Sequence, residues 1–235
     1  MINEKQISPF IVKLYTKLFK ENFVIDKSGV KMVELLGISI KLNPNQPILN
    51  FGKKKSNEAY IKKELDWYLS QDLNVYPMMK DVKIWTEVAD KDGYINSNYG
   101  WCIFSEANYS QYDFVLEELN RNRESRRACM IYNRPSMTID YNYRGRSDYI
   151  CTNYVQCFIR KGKLEYHIHQ RSCDMVFGFF NDFAWHCYVY NRLVKDLNVS
   201  VGNILYIIDS FHVYERHFPI LTEIHQYIQE NLIKK

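Results

Sequence analysis

The 235-residue chain has no run approaching the roughly 18 consecutive apolar residues that a membrane-spanning helix requires, which excludes that class. It has no Cys-x-x-Cys pair and no nearby His-x-x-x-His. The six cysteines (Cys102, Cys129, Cys151, Cys157, Cys173 and Cys187) stand apart, so no zinc site is expected and the thiols read as reduced. An excess of one charge is also missing. Thirty-one Lys+Arg against 27 Asp+Glu leave a net charge of +4, too little for a protein whose affinity rests on neutralising many nucleic-acid phosphates. No stable nucleic-acid or membrane partner is expected, and any anion bound should be small. The N-terminal segment, Met1 to Gln6, lacks the apolar stretch and small-residue cleavage site of a signal peptide, which gives the expectation of a cytoplasmic protein. Repeats, linkers and low-complexity segments are absent too.

What is present is ordinary globular material, 46% hydrophobic and 25% charged, of a length that one core can still fill. A single domain over residues 1–235 is expected. Nineteen tyrosines and 13 phenylalanines supply core and pocket walls with hydroxyl handles. Apolar residues at 10, 11, 14, 15, 18 and 19 predict an amphipathic helix over 8–23, with Ser8 as N-cap and Pro9 in the first turn. Around Gly37, residues 30–42 predict two short strands joined by a turn. Lys53 to Lys55 read as a solvated basic loop. Helices are predicted over 57–70, which sets Glu64 beside an apolar stripe, over 111–120 and over 183–195. Asp90 to Gly93 reads as a turn and 136–149 as a polar loop. Strands are predicted over 152–160, 163–170 and 203–208. Interspersed helices and strands give an α/β (α+β) class with a mixed sheet.

Cys151 opens the run Cys151-Thr-Asn-Tyr-Val-Gln156, and twenty residues later comes Arg171-Ser-Cys-Asp174, then Gly178 and His212-Val-Tyr214. Upstream stand Glu64-Leu-Asp-Trp-Tyr-Leu69, Ile84-Trp85 with Ala89-Asp90, Tyr99-Gly100 and Ser125-Arg-Arg127. In this order and spacing, over residues 26–217, the chain resembles the thymidylate synthase and deoxycytidylate hydroxymethylase family. The resemblance implies a twisted mixed sheet with helices packed on one face and the sheet face used for a homodimer. It also implies two ligands, a deoxynucleoside monophosphate and 5,10-methylenetetrahydrofolate, with no metal.

The chemistry explains these residue types. C5 of a pyrimidine is a poor nucleophile, so a thiolate adds to C6 first and makes C5 an enamine-like carbon. Cys151 matches that nucleophile, and Arg171, expected at the nucleotide phosphate with Ser172, is expected to supply the positive environment a thiolate needs. Arg126 and Arg127 match the arginines that reach the phosphate of the partner's site, and Lys27 falls where the family usually has another phosphate-binding arginine, for which lysine is a geometrically less exacting substitute. His212 and Tyr214, alternating on one strand face, match the pair at the sugar 3′ hydroxyl. Glu64 matches the family's catalytic glutamate, Tyr99 the tyrosine near the C5 proton, and Trp85 and Asp174 the folate site.

The base-reading asparagine of the synthases falls at Asp182 by ungapped counting from Cys151, in Phe179-Phe-Asn-Asp182 where they have Leu-Pro-Phe-Asn. A shift of one residue would put Asn181 there, and an aspartate is also a favoured helix N-cap. An amide suits uracil, whereas a carboxyl group suits the amino group and N3 of cytosine. Ile150-Cys-Thr152 in place of Pro-Cys-His, and the 21 residues after Tyr214 in place of a longer folate-closing tail, point to water rather than hydride reaching the one-carbon unit. The resemblance therefore implies hydroxymethylation of dCMP, as bacterial viruses use to mark their DNA. The alternatives are methylation or hydroxymethylation of dUMP, and a catalytically silent nucleotide- or RNA-binding relative.

Overall fold

A computed structural model describes residues 2–80 and 82–233; Met1 and the terminal Lys234 and Lys235, part of the two chain ends considered above, lie outside it. The elements in chain order are α1 (Ile2–Phe19), β1 (Val24–Ile25), β2 (Lys31–Leu42), β3 (Asn50–Phe51), β4 (Lys54–Lys55) and α2 (Glu58–Ser70). The short helices α3 (Tyr76–Met79), α4 (Ile84–Val88) and α5 (Tyr99–Phe104) follow, then α6 (Gln111–Arg121), β5 (Cys129–Ile131) and α7 (Met137–Tyr143). The C-terminal half holds β6 (Thr152–Arg160), β7 (Lys163–Gln170), β8 (Cys173–Asp174), α8 (Gly178–Asp196), β9 (Ser200–Tyr214) and α9 (Phe218–Ile228).

Among the described residues one seven-stranded sheet runs β1-β2-β9-β7-β6-β5, with β8 also on β9. It is mixed: β7 and β8 lie parallel to β9 and the remaining pairs are antiparallel. The period-2 pattern of β6, β7 and β9 decides the layering. Val155, Cys157 and Ile159, Leu164, Tyr166 and Ile168, and Ile204, Tyr206 and Ile208 are buried on one face. There they meet α8, with Phe179 against Tyr206 at 5.4 Å and Tyr190 against Tyr166 at 5.8 Å between ring centroids. The alternate residues carry a half-exposed aromatic layer on the other face, where Tyr154 stacks on His169 at 4.2 Å and Phe158 meets His167 at 5.3 Å.

Four local expectations need correction. Residues 31–42 form one strand, because Gly37 takes φ +62° without shifting the register, Leu36 pairing with Ser210 and Ile38 with Ile208. The expected polar loop at 136–149 contains α7, pinned where buried Asp140 meets Arg134 at 3.6 Å and Arg144 at 3.2 Å. α1 begins at Ile2, so Ser8 is no N-cap; its hydroxyl donates to the Glu4 carbonyl at 2.6 Å, one turn back. α8 begins at Gly178, five residues before the predicted start, because buried Phe179 and Phe180 already belong to its core face.

Candidate active site

Cys151 sits immediately before β6, at the point where the sheet is interrupted. β7 ends at Gln170 opposite Ile208 and β8 resumes at Cys173 opposite Phe211, so the chain leaves the ladder at Arg171 and Ser172 without losing register. Arg171 fills that gap. Its backbone N–H donates to the Cys151 carbonyl at 2.9 Å, its Nε to the Ile150 carbonyl at 2.9 Å, and its Nη2 to the Tyr149 carbonyl. The guanidinium thus fastens the loop that carries the thiol. A second fastener is buried Asp148, which accepts from the backbone N–H groups of Asn96 at 2.8 Å and Ser97 at 2.7 Å and from the Ser97 hydroxyl at 2.7 Å. Asn98 then caps α5 by accepting from Trp101 N–H, so the loop before Cys151 is tied to the loop that presents Tyr99.

α5 also lies unusually close to α2. A Cβ on Gly100 would stand 1.8 Å from the Tyr68 carbonyl oxygen, so only glycine permits this approach. The approach stacks Tyr99 on Tyr68 at 5.2 Å, and Tyr68 in turn lies beside Glu64. From α2, Glu64 is buried and accepts from Tyr60 Oη at 2.9 Å, while Trp85 Nε1 donates to the same tyrosine oxygen at 2.9 Å. From α8, Asp182 Oδ2 accepts from Gln170 Nε2 at 2.5 Å. Asp182 lies in the second turn of that helix and is not its cap, whose position is held by Phe177.

Burial sets the electrostatics. It pushes the Glu64 carboxyl up to about 8, reinforced by Asp182 and opposed by the Tyr60 hydrogen bond. It pushes Asp182 up to about 7 against the Gln170 hydrogen bond. Cys151 is pushed up to about 12 by burial; Arg171 acts downward as expected but is outweighed, so the thiol is not held as a thiolate. Tyr99 lies well above the ordinary phenol, through burial first and then Asp182 and Cys151.

The fold brings Cys151, Arg171, Ser172, Tyr99, Glu64, Asp182 and Asp174 to one end of the sheet, beside Trp85. His212, opposite Asp174 in the register and buried, meets Tyr214 at 4.9 Å between ring centroids, so the two share the neighbouring stretch of β9. Three cations are not gathered in. Lys27 is exposed in the turn after β1, its Nζ 5.4 Å from the Tyr141 ring centroid. Arg126 and Arg127 are exposed before β5, and neither forms an ion pair with a described residue.

Sequence reasoning missed several neighbours. Gln170 directly precedes Arg171 and is the partner of Asp182. Tyr60 links Trp85 to Glu64 and occurs one helical turn before Glu64, the only signal it gave. Lys54, read as part of a solvated loop, places Nζ 4.2 Å from the Phe177 ring centroid and near Asp174. His186, held neutral by burial with its pKa near 3, lies against Thr152 at 3.5 Å and Tyr166 at 3.3 Å. Asn181, the alternative base reader, lines a small cavity with Glu64, Tyr68 and Trp185.

No group of three or more His, Cys, Asp or Glu among the described residues is arranged to hold a metal. No helix of the described chain is long and apolar enough to cross a membrane. Comparison with known proteins matches residues 14–232 to the family described as thymidylate synthase. The chain is 45% identical over 226 residues to the deoxycytidylate 5-hydroxymethyltransferase of Enterobacteria phage T6, covering 93% of this chain and 90% of that protein. It is 47% identical over 212 residues to the protein of the same name from Enterobacteria phage T4, covering 87% and 84% respectively. With the family matched over nearly its whole length and relatives of this identity, the chain belongs to the thymidylate synthase family.

Proposed function

We propose that the chain acts as one catalytic domain that transfers a one-carbon unit from 5,10-methylenetetrahydrofolate to C5 of dCMP, with addition of water, giving 5-hydroxymethyl-dCMP and tetrahydrofolate. The family takes a pyrimidine nucleotide and methylenetetrahydrofolate. The observation that carries the substrate is the carboxyl group of Asp182 held by Gln170. Because the amide N–H donates to Oδ2, a proton on this carboxyl resides on Oδ1, which presents one donor and one acceptor together. Cytosine offers the complement, an acceptor at N3 and a donor at C4; uracil offers the reverse. Burial keeps that proton available near neutral pH.

Cys151 adds to C6, losing its proton as the bond forms, since Arg171 alone does not hold the thiolate. Tyr99 takes part in removing the C5 proton, and Glu64 accepts and returns protons through water. Arg171 and Ser172 face the phosphate, with Lys27 and, in a homodimer, Arg126 and Arg127 of the partner subunit completing the cradle. His212 and Tyr214 hold the 3′ hydroxyl. The half-exposed aromatic face of β6 and β7 is the surface on which that homodimer forms. The flat, anionic folate fits the residues present: Trp85 and the 48%-exposed Phe177 offer aromatic walls, and Lys54 stands by Phe177 and Asp174. When bound it supplies the one-carbon unit. The reaction takes place in the cytoplasm of the host cell.

The test is to incubate the protein with methylenetetrahydrofolate and dCMP, dUMP or CMP and weigh the nucleotides. A gain of CH2O on dCMP is expected. A gain of CH2 on dUMP with formation of dihydrofolate would replace the proposal by a synthase, and binding without turnover would replace it by a silent relative.

A further inference from the structure

Between α2 and α8 lies a cavity of about 10 Å³, enough for one water, lined by Ile61, Glu64, Leu65, Tyr68, Asn181, Ala184 and Trp185. Glu64 and Asn181 are the carboxyl and amide residues of its lining, Tyr68 and Trp185 bring aromatic rings, and the rest is aliphatic. The Asn181 side chain makes no hydrogen bond to another described residue, although it projects from the second turn of α8, one residue before Asp182. Its backbone N–H is already spent on the Phe177 carbonyl, within the helix. The half-buried amide has one donor pair and one acceptor uncommitted and shares the lining of this one-water space with the buried Glu64 carboxyl, so the two side chains can hold a water between them.

We propose that Asn181 and Glu64 hold the water that attacks the one-carbon unit, with Asn181 as the residue that positions it. The inference rests on the hydroxymethyltransferase reading above. Once tetrahydrofolate has left, the pyrimidine carries an exocyclic C5=CH2 and a C6–Sγ bond to Cys151. The water oxygen bonds to the CH2 carbon and one water proton passes to the Glu64 carboxylate. The exocyclic π pair closes C5=C6, and the C6–Sγ bond breaks with its electron pair going to Cys151 as thiolate. No oxidant or reductant is required. The adjacent residues 181 and 182 thereby divide the work: Asp182 faces the base and Asn181 faces the water, about 100° apart on the helix.

The residue to vary is Asn181, and three readouts separate water positioning from base reading and from folding. Asn181→Leu fills the space without an amide; it should lower hydroxymethyl-dCMP formation by about 100-fold, the cost of misplacing a reactant. Its folate-independent exchange of the C5 hydrogen of dCMP should persist, with KM for dCMP unchanged. A small added thiol should then capture the exocyclic CH2 as a thioether, visible by mass. Asn181→Ala, which leaves room for water but no amide, should fall in between and serves if the Leu variant does not fold. A parallel fall of C5 exchange and product formation, a raised KM for dCMP, or wild-type product formation by both variants would overturn the inference. These outcomes are independent of the wild-type product, whose failure to gain CH2O would instead overturn the underlying reading.

Discussion

The two ends of the proposed nucleotide site are built differently. Around Cys151, Glu64, Tyr99 and Asp182 the side chains are buried or half-buried and held by bonds within the one chain: Arg171 to the 149–151 carbonyls, Asp148 to residues 96 and 97, Gln170 to Asp182, and Tyr60 to Glu64. The cations expected at the phosphate, Lys27, Arg126 and Arg127, are exposed and make no such bonds. Bond rearrangement needs groups fixed in a dry environment before the substrate arrives, whereas a dianion can gather flexible charges as it binds. In the proposed site the first region is thus held together within one chain, and the second is the part assigned to a neighbouring subunit.

The sharpest way to break this contrast is at its covalent centre. Cys151→Ser should lower turnover by about 10⁴-fold or more while nucleotide binding persists, measured by product formation and by titration of dCMP. Replacement of the other five cysteines, one at a time, should leave the covalent step intact; wild-type release of the C5 hydrogen by Cys151→Ser would remove the nucleophile assignment. At the exposed end, Arg126→Ala should lower kcat/KM by about 30-fold, corresponding to a charge-assisted hydrogen bond of ~2 kcal/mol. After subunit exchange, mixing it with Cys151→Ser should raise activity above either parent, because one heterodimer site holds an intact Cys151 and a partner's intact Arg126. No rescue after verified exchange would assign both regions to one chain.

Asp182→Asn should move the ratio of kcat/KM for dCMP over dUMP toward dUMP by about tenfold for each mismatched edge of the base. Asn181→Ala should leave that ratio unchanged even as it slows the reaction. The reverse pattern in steady-state kinetics would return the base to Asn181. The smallest effect is on stability. Because the Glu64 carboxyl is raised by burial, the folded protein binds its proton more tightly than the unfolded chain, and stability falls as pH climbs from about 4.5 to about 8. Glu64→Gln lacks this cost. It should match the wild type at pH 4.5 and melt several degrees higher at pH 8, from a few kcal/mol at ~1.36 kcal/mol per tenfold change in proton affinity. An unchanged pH dependence in thermal melts would show that Glu64 ionises freely.

Much of this site could be read in the sequence because its chemistry is concentrated in short motifs. The alternation in 152–160 and 163–170 defined both strands at their observed limits, and the helical spacing of 57–70 placed Glu64 on the inner side of α2. What escaped was contact between distant segments. Nothing near Gly100 announces that it must lie against the Tyr68 carbonyl, and nothing near Asp148 announces its bonds to Asn96 and Ser97, about 50 residues away. The start of α8 was missed for a related reason: Phe179 and Phe180 extend the helix through packing on the sheet, where local capping preferences have no say. Gln170 was in plain view beside Arg171, but its role depends on α8 returning across β7.

The chain of bonds from Trp85 through Tyr60 to Glu64 also has an optical meaning. An indole N–H that donates to a phenol whose own proton is given to a carboxyl group responds to the charge on that carboxyl, since an ionised acceptor draws the phenol proton and makes its oxygen a better acceptor for the indole. Of the chain's four tryptophans, Trp85 is joined to Glu64 through Tyr60 in this way. Its emission, isolated by difference from Trp85→Phe, becomes a natural gauge of the acid's ionisation, read without dye or label while ligands come and go.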